Sequence, residues 1–470
     1  MKRCPACGAE YDVTDAICPH CGAELPAPYD GWDGEQEEAD DGYDGGDFPN
    51  PVPAEEDEGR TILSDGSVWQ LAGQQTLPPA MLTILSGAEV ILEEESICPG
   101  SVVLAQGRII SIQQGVIADP EDGATFVDLT GKTLAPGFID VHTHGMMGYD
   151  TNEADGAALQ RLSLAAARYG VTALLPTTVA CGAAELSRVL QHIHQAREQG
   201  VAGARILGAH LESNFISPQF KGAQPPETLL APDDPSAWPL RQLIDEYAAD
   251  IRIITVAPEV PGALELISWL RERGIIVSLG HSAASYEQAV AGFDAGASHV
   301  THLFNAMAPL HHRAPGLVGA ALENDEVFTE VISDGLHIHP ALLATIFSAK
   351  GADRVMVVSD SLRGAGMGAG EFTLGGQHVT VHDNVAQLDN GTIAGSVTTM
   401  DAMVRLLVSE VGWDLGEVFL MVATTPANGL GLKEIGRIAP GAIADLVVLD
   451  EELQVETTYV GGKVVYQAGS

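Results

Sequence analysis

The central part of the chain repeats one pattern eight times: a short run rich in β-branched residues, followed by a helical stretch. The strand candidates are GFIDVHTH, VTALLPTT, RILGAHLE, IRIITVAPE, IIVSLGHS, ASHVTHL, VFTEVISDG and RVMVVSDS. Alternating strand and helix units favour a parallel sheet, and eight of them in about 290 residues are typical of a (β/α)8 TIM barrel. The sequence therefore predicts an α/β fold with a barrel over residues 137–432, and the alternative is an open, doubly wound sheet.

Two β-rich regions flank the barrel candidate. Residues 81–136 contain MLTILSGAEVIL and SVVLAQGRIISIQ, and residues 433–470 contain ADLVVLD and GGKVVYQ, with turn residues between the runs. Short strands of one texture at both ends favour a shared unit. We therefore expect a small β-sandwich domain, residues 81–136 and 433–470, built from the two segments that flank the barrel.

The first 25 residues carry four of the six cysteines. They form two CxxC pairs, Cys4 with Cys7 and Cys18 with Cys21, each followed by glycine. Four thiolates so spaced can bind one tetrahedral zinc ion, which would stabilise a segment too short for a core. The pattern predicts a zinc ribbon with a structural zinc over residues 1–25. Two redox pairs are the alternative.

The other two cysteines, Cys98 and Cys181, lie inside apolar runs and are predicted to be inert core thiols. Residues 26–80 are predicted to be a disordered, self-repelling linker and bridge. Thirteen Asp or Glu occur between Asp30 and Glu58, with no Lys. An acidic docking tail is the alternative for this segment.

The formal net charge of -41 argues against two classes of partner. Nucleic acids and anionic membranes are polyanions that bind clusters of Lys and Arg. No run reaches the roughly 18 apolar residues of a membrane helix, and the start of the chain lacks the apolar core of a secretory signal. We expect a cytoplasmic protein that binds neither nucleic acid nor membrane.

Polar side chains mark the carboxyl ends of five strand candidates, where barrel enzymes place their functional groups. They are His142, His144, Glu212, His281, His302 and Asp360. Imidazole nitrogens and a carboxylate suit zinc, iron or manganese, so their convergence predicts a metal centre. Taken singly, each histidine could be structural and the aspartate could cap a helix.

The turn LHHRAPG places Arg313 beside His311 and His312. A guanidinium can bind two phosphate oxygens, so this turn could hold an anionic substrate. The alternative is an exposed polar turn.

The segment PGFIDVHTHG resembles the first-strand signature of the amidohydrolase superfamily. Six further segments resemble, in order, the motifs of the N-acetylglucosamine-6-phosphate deacetylase family: HLESNFISPQFKGAQ, GHSAA, THLFNAMAPLHHRAPGLVG, ISDGLHIHP, VVSD and IAGSVTTMDAMVR. The resemblance runs from about Met81 to the C-terminus and leaves out the predicted ribbon and linker. It implies hydrolysis of the acetamide of N-acetylglucosamine-6-phosphate to glucosamine-6-phosphate and acetate by metal-activated water.

The resemblance also implies residue roles. It assigns one divalent ion, zinc or iron, to Glu212, His281 and His302, a second ion to His142 and His144, and the general base and acid to Asp360. The implied substrate contacts are Gln224, Asn305, Ala306, Arg313, Asp334, Gly335, Leu336, His337, Ile393, Ala394 and Gly395. Some of these contacts cross a homodimer interface in the family, while a partner for the ribbon stays unknown.

Two positions depart from the family pattern, which usually reads HLEGPF where this chain reads HLESNF. Ser213 adds a side chain where the backbone could run close to the metal or the substrate, and Asn214 replaces a proline that restricts a turn. Gln224 stands where many members have His, and glutamine cannot become cationic. The presumed ligands and Asp360 are all present, so we expect a competent hydrolase with altered rate or preference.

The sequence leaves two alternatives to a deacetylase. Cyclic amide hydrolysis of the dihydroorotase kind expects a carboxylated Lys on the fourth strand, and IRIITVAPEV contains none. A non-catalytic sensor or scaffold would use the ribbon to recruit a partner, and the altered ESNF sequence is its one support.

Overall fold

The computed structural model describes residues 78–118, 122–153 and 156–469, together with the short strands Lys2–Arg3 and Glu10–Tyr11. The chain divides into two compact units, Met1–Thr61 and Ile62–Ser470. In the first unit, the two short strands pair antiparallel. The predicted zinc ligands Cys4, Cys7, Cys18 and Cys21, and nearly all of the predicted linker, lie outside the described residues.

The strands in chain order are β1 (Lys2–Arg3), β2 (Glu10–Tyr11), β3 (Leu82–Ile91), β4 (Ser96–Ala105), β5 (Arg108–Gln114), β6 (Thr125–Asp128), β7 (Thr133–Pro136), β8 (Phe138–Thr143), β9 (Gly145–Met146), β10 (Tyr149–Asp150), β11 (Val171–Thr178), β12 (Arg205–Ile206), β13 (Ala209–Glu212), β14 (Ile251–Val256), β15 (Ile276–Leu279), β16 (His299–Val300), β17 (Phe328–Ile332), β18 (Val355–Val358), β19 (Gly370–Leu374), β20 (Gln377–His382), β21 (Val385–Leu388), β22 (Ile393–Ser396), β23 (Leu446–Leu449), β24 (Val455–Val460) and β25 (Lys463–Gln467). The α-helices are α1 (Ala157–Ala167), α2 (Ala183–Gln199), α3 (Trp238–Glu246), α4 (Ala263–Arg271), α5 (Tyr286–Ala295), α6 (Gly316–Glu323), α7 (Pro340–Lys350), α8 (Met400–Leu406), α9 (Leu415–Phe419) and α10 (Thr425–Gly429). Short 3₁₀ turns lie at Pro79–Met81, Pro218–Phe220, Pro226–Thr228 and Pro235–Ala237, and π-helical turns at Leu407–Val411 and Leu420–Thr424.

The barrel strands run parallel in the order β8, β11, β13, β14, β15, β16, β17, β18. The third candidate is split into β12 and β13 at Gly208, whose φ of 146° favours glycine. The ends of the sheet meet beyond β18, where the backbone N–H of Asp360 donates to the carbonyl of His142 at 2.9 Å. Thr143 and Ser361 form a parallel bridge at the same place. The prediction of a parallel barrel is therefore confirmed, and the eight strands form a nearly closed barrel. The alternative, an open sheet, is wrong.

Helices cover the outside of the barrel because one stripe of each is apolar. In α2 the buried residues are Leu186, Val189, Leu190 and Ile193, the spacing of a single helical face. Every residue of β8 and β11 is buried, since each strand packs against helices on one side and the barrel interior on the other. Each such buried aliphatic side chain stabilises the fold by about 1.5–3 kcal/mol. This packing holds the strand ends rigidly at the mouth of the barrel.

Both ends of the catalytic region share one sheet. Its order is β25, β24, β23, β7, β3, β4, β5, and β6 pairs with β3. The late strand β23 lies antiparallel to β7, with Leu446 opposite Pro136. A cluster that includes Leu85, Val102, Leu134 and Leu446 packs residues from both ends together.

A four-stranded antiparallel sheet, β19 to β22, is inserted between β18 and α8. We did not predict it. Its tight turns carry the signals Gly375-Gly376 and Asp383-Asn384, all four at positive φ, between runs of alternating polarity. The insertion matters for the site because Leu362 N–H donates to the carbonyl of Ser396, which brings β22 beside Asp360.

The thiol prediction is half wrong. Cys98 is exposed, because its stretch of β4 lies in the exposed outer part of that strand, whereas Cys181 is buried. Burial raises the pKa of the Cys181 thiol to about 12, which makes it inert. Of the helices that the structure describes, none combines the length and apolarity needed to span a bilayer.

Candidate active site

The mouth of the barrel collects the six side chains predicted from the strand ends. His142 and His144 leave the end of β8 on the same side, as their alternation predicts, and are 0% and 2% exposed. Glu212 ends β13, His281 and His302 follow β15 and β16 by two residues each, and Asp360 follows β18. All six are buried. Side chains from five separate strands thus meet in one place.

Glu212, His281 and His302 form the first of two trios. The Nε2 atoms of His281 and His302 lie 2.8 Å and 3.0 Å from the same carboxylate oxygen, Oε1 of Glu212. The two Nε2 atoms are themselves 3.0 Å apart. The two imidazole nitrogens and the carboxylate oxygen therefore form a compact group of potential metal-ligand atoms.

His142, His144 and Asp360 form the second trio. Oδ1 of Asp360 lies 3.5 Å from Nε2 of His142 and 3.2 Å from Nε2 of His144. Glu212 stands between the trios, because its Oε1 is 3.6 Å from His142 Nε2 and its Oε2 is 3.4 Å from His144 Nε2. One carboxylate therefore faces all four histidines.

The two trios have the composition of metal sites. In each, the three ligand atoms lie within 4.8 Å of one another. Nε2 of His142 is buried and has no hydrogen-bond partner, an arrangement that costs free energy unless something else occupies the space it faces. Imidazole nitrogen and carboxylate oxygen are ligands of zinc, iron and manganese. The residues therefore fit a divalent cation.

Three of the six residues have strained backbones. His281, His302 and Asp360 have φ values of 48°, 29° and 44°, in the left-handed region that non-glycine residues seldom adopt. Such conformations are held in place by surrounding structure and cluster at functional sites. At all three positions the strain falls where the chain leaves a barrel strand.

The charges of the cluster are coupled. Burial disfavours the charged form of His302, but the hydrogen bond and charge of Glu212 outweigh it and raise its pKa to about 9. Burial likewise opposes ionisation of Asp360, yet His142 and His144 lower its pKa to about 2. Burial opposes ionisation of Glu212 as well, but the charge of His281 and hydrogen bonds with His144, His281 and His302 hold its pKa well below the usual value. Both carboxylates are therefore ionised at neutral pH.

A deeper polar layer, which sequence reasoning missed, lies beneath these residues. Glu330 is 0% exposed, and its Oε2 lies 2.8 Å from Nδ1 of His142. Asp140 accepts hydrogen bonds from the backbone and hydroxyl of Ser359. Burial raises the pKa of each carboxyl to about 7. The available signal was an acid flanked on both sides by β-branched residues, in FIDVHT and FTEVI.

Gln224 lies where a substrate-contacting group was predicted, next to the carboxylate cluster. Its Nε2 donates to Oε2 of Glu212, and its Oε1 accepts from the backbone N–H of Ala180 at 2.8 Å. The amide is therefore held at both ends, with its nitrogen directed at the cluster.

The remaining predicted substrate contacts lie in three segments, two loops and strand β22. In the turn Asp334, Gly335, Leu336, His337, the Asp334 carboxylate lies 2.8 Å from His337 Nδ1 and accepts from Ser396 Oγ at 2.8 Å. The hydrogen bond from Ser396 joins this turn to strand β22, which contains Ile393, Ala394 and Gly395. Gly395, at φ 72°, packs so closely that an added Cβ would lie 2.7 Å from the Asp360 carbonyl. The Asp334 turn and strand β22 therefore meet beside Asp360.

The third of these segments is the loop that follows β16. It includes Asn305, whose side-chain amide donates to the Leu303 carbonyl, and Ala306, at φ 49°. Arg313 lies farther along on an exposed turn, with its guanidinium 2.9 Å from His312 Nε2. The structure thus leaves Arg313 on the surface within this chain.

The two unusual residues after Glu212 act as polar ties. Ser213 Oγ donates to the Thr255 carbonyl at 2.6 Å and accepts from the Phe215 N–H. The Asn214 amide donates to the carbonyls of Cys181 and Thr228, at 2.9 Å and 2.8 Å. Asn214 therefore connects the loop after β11 to the segment that follows Gln224. Neither side chain obstructs the cluster of ligand atoms.

Asn214→Ala is expected to lower the melting temperature by several °C, because two carbonyls would lose their donor at about 1–3 kcal/mol each. Thermal unfolding followed by circular dichroism measures the shift. Gln387→Ala, an exposed change on β21, is the control and should leave the melting temperature unchanged. Equal melting temperatures for the wild type and Asn214→Ala would contradict the tie.

Comparison with known proteins places this geometry in a family. The sequence profile of the amidohydrolase family matches residues 133–465, which include the barrel and all six clustered side chains. This chain belongs to the amidohydrolase family. Among curated amidohydrolases, the N-acetylgalactosamine-6-phosphate deacetylase of Escherichia coli O157:H7 is 35% identical over 82% of this chain and 99% of the relative. The N-acetylglucosamine-6-phosphate deacetylases of Bacillus subtilis and Homo sapiens are 34% and 36% identical, over 82% and 84% of this chain and 97% of each relative.

Solved structures of amidohydrolases agree. An N-acetylglucosamine-6-phosphate deacetylase from Pasteurella multocida superimposes with a TM-score of 0.77 at 30% identity, over 82% of this chain and 99% of that one. The enzyme from Mycobacterium smegmatis gives a TM-score of 0.75 at 32% identity, over 82% of this chain and 100% of that one. The curated relatives and these structural neighbours are hydrolases, so the chain's likeness to deacetylases extends across the catalytic region.

Proposed function

We propose that this amidohydrolase removes the acetyl group of N-acetylglucosamine-6-phosphate by metal-dependent hydrolysis, yielding glucosamine-6-phosphate and acetate. The observation that carries the proposal is the convergence of six buried ligand and acid residues from five strands around the Glu212 carboxylate. The substrate follows from the deacetylase relatives, about 35% identical over most of the chain. One 32% identical relative was solved in complex with N-acetyl-D-glucosamine-6-phosphate.

Glu212, His281 and His302 would hold one divalent ion, zinc or iron, and His142 and His144 would hold a second, with Glu212 between them. An ion bound there would polarise the amide carbonyl and lower the pKa of water from 15.7 to roughly 7. His302 would give up the proton it carries when an ion binds, so that the four histidines would supply neutral nitrogen ligands, and the Glu212 carboxylate would offset part of the cationic charge. This assignment accounts for the unpartnered Nε2 of His142.

Asp360 would move the proton. Its carboxylate is ionised and lies at the edge of the second trio, so Oδ1 can accept a proton from the attacking water. The water oxygen forms the new C–O bond, and Asp360 then donates that proton to the amide nitrogen as the C–N bond breaks. Acetate and the free amine are the products. Gln224 Nε2 can donate a hydrogen bond to the oxyanion formed on the way.

Substrate recognition would use the loops around Asp360. Asn305, Ala306, the turn Asp334 to His337 and Ile393 to Gly395 would contact the sugar phosphate. Arg313, exposed within one chain, would bind phosphate in the neighbouring subunit of a homodimer. We further propose a zinc ribbon at residues 1–25, a linker at 26–80, a β-sandwich from 81–136 and 433–470, and the barrel at 137–432, in a cytoplasmic enzyme.

Arg313→Ala is expected to raise the KM for the phosphorylated substrate about 10- to 100-fold, because a charged hydrogen bond to phosphate contributes about 1.5–3 kcal/mol. The KM for unphosphorylated N-acetylglucosamine should hardly change. Steady-state kinetics on both sugars gives the comparison, and Arg188→Ala, on the exposed face of α2, is the control. Equal effects on both sugars would remove Arg313 from phosphate binding.

The proposal is tested by acetate release from N-acetylglucosamine and N-acetylgalactosamine, each with and without the 6-phosphate, on protein of measured metal content. Hydrolysis of N-acetylglucosamine-6-phosphate is expected to be fastest. Preference for N-acetylgalactosamine-6-phosphate would support the second candidate, which the 35% identical relative from Escherichia coli favours. If metal-loaded protein releases no acetate from any of these sugars, the proposal is wrong, and a cyclic amidase or a ligand-binding scaffold becomes the better interpretation.

A further inference from the structure

Glu330 occupies the middle of β17 and points into the barrel interior beneath the active site. It is fully buried, and its Oε2 lies 2.8 Å from His142 Nδ1 and 3.4 Å from the backbone nitrogen of His302. Its other oxygen, Oε1, has no hydrogen-bond partner and is 3.9 Å from His210 Nδ1. In the described part of the chain, no Lys or Arg forms an ion pair with this carboxylate. Its one close side-chain partner is therefore His142.

His210 does not compete for Glu330. Its Nδ1 lies 3.0 Å from the Val141 carbonyl and its Nε2 2.9 Å from Thr255 Oγ1. Both ring nitrogens of His210 are thus already satisfied. The 2.8 Å contact between Glu330 and His142 remains the dominant interaction of the carboxylate.

The other ring nitrogen of His142 faces the metal-binding cluster. Nε2 has no hydrogen-bond partner and lies 3.6 Å from Glu212 Oε1 and 3.5 Å from Asp360 Oδ1. An imidazole binds a cation only through an unprotonated nitrogen, so its proton must stand on Nδ1 for Nε2 to serve. A carboxylate that accepts from Nδ1–H selects that tautomer and increases the basicity of Nε2.

The other ligand candidates are oriented differently. Nδ1 of His144 lies 3.2 Å from the Thr177 carbonyl, and Nδ1 of His281 lies 2.9 Å from the Phe220 carbonyl. Nδ1 of His302 is buried without a partner. Among the four histidines, a carboxylate contact at Nδ1 is found on His142.

We propose that Glu330 is a positioning residue that holds His142 in the tautomer and orientation needed to bind the second ion. Its carboxylate thereby controls the metal affinity of the His142 and His144 half of the site, without touching the substrate. The inference rests on the proposed metal-dependent function and deepens it. It also gives a reason for a fully buried acid in the middle of a buried strand.

The test compares the wild-type full-length protein with Glu330→Gln and Glu330→Leu. Metal-free protein is titrated with Zn²⁺, and ions bound per chain and dissociation constants are measured. Any ion bound by the first 25 residues is common to all variants and cancels. We expect Glu330→Leu to weaken the second barrel ion about 10- to 100-fold and Glu330→Gln to weaken it less, because an amide oxygen can still accept from Nδ1–H.

A second measurement separates positioning from mere stability. Histidine ¹⁵N shifts report which ring nitrogen carries the proton, and the His142 signals are assigned by their loss in His142→Ala. Metal-free wild type should show His142 protonated at Nδ1, and Glu330→Leu should lose that preference. Thr329→Val is the matched control, because Thr329 is the adjacent, equally buried residue with an unpartnered hydroxyl. It should change neither measurement.

The outcomes distinguish this inference from the proposed function. Wild-type protein whose barrel takes up neither Zn²⁺ nor Fe²⁺ would overturn the proposed function itself. Wild type that binds zinc in the barrel, with both Glu330 variants matching its affinity and tautomer, would overturn the role of Glu330 alone. If the Leu variant does not fold, the Gln variant decides, and wild-type affinity in that variant would count against the proposal.

Discussion

Asp360→Asn is expected to abolish acetate release while leaving the metal content of the protein unchanged. The carboxylate lies 3.2 Å and 3.5 Å from the Nε2 atoms of His144 and His142, and its pKa of about 2 leaves it ionised at neutral pH, with oxygens that can accept a proton. The asparagine amide has nearly the same shape but cannot take up and return that proton. General acid–base catalysis accelerates reactions by a factor on the order of 10²–10⁴, so kcat should fall by a factor in this range or by more.

Metal analysis and acetate release on the same preparation measure this prediction. Asp445→Asn is a matched control. Asp445 is also buried, but it directly precedes β23 and pairs with Arg205. Normal turnover by metal-loaded Asp360→Asn would reject Asp360 as the base. Joint loss of metal and turnover would identify Asp360 as a ligand instead.

Glu212→Gln is expected to remove both bound metal and activity. One oxygen of Glu212 lies 2.8 Å and 3.0 Å from the histidines of the first trio, and its carboxylate also faces His142 and His144. The neutral amide cannot offset cationic charge, and its NH₂ group would direct hydrogen atoms at the space the ion needs. Without the ion, the pKa of the attacking water returns from roughly 7 toward 15.7, and kcat should drop to background.

Metal content by mass spectrometry, together with acetate release, gives the result. The control is Asp401→Asn, a buried acid that pairs with Arg405 away from the cluster. We expect this control to keep its metal and its kcat. A Glu212→Gln protein with full metal occupancy would refute the central position assigned to this carboxylate.

The barrel and the meeting of its candidate ligand residues could be predicted because both leave local marks in the sequence. Each parallel strand is a short apolar run, and Glu212, His281 and Asp360 appear where such a run stops. The rule that functional groups gather at the carboxyl ends of barrel strands then brings distant positions together without knowledge of the contacts. The proposed substrate contacts, such as Arg313, depended on resemblance, because an exposed turn carries no pattern that identifies its ligand.

The deeper layer could not be predicted for a different reason. Strand β17 is buried on both faces, so its hydrophobic pattern does not say which side Glu330 faces. Its partner, His142, lies 188 residues earlier in the chain, and only the closed barrel brings them together. The exposure of Cys98 was missed similarly, because the apolar neighbours of a residue do not reveal which end of a strand projects outward.

The shared sheet of early and late strands bears on how the protein is made. During synthesis β7 emerges long before β23, its antiparallel neighbour over Leu446–Leu449. Until the ribosome releases that last stretch, one edge of β7 has unpaired peptide groups able to capture another chain. A nascent or C-terminally shortened polypeptide therefore exposes an unpaired strand edge, which favours aggregation.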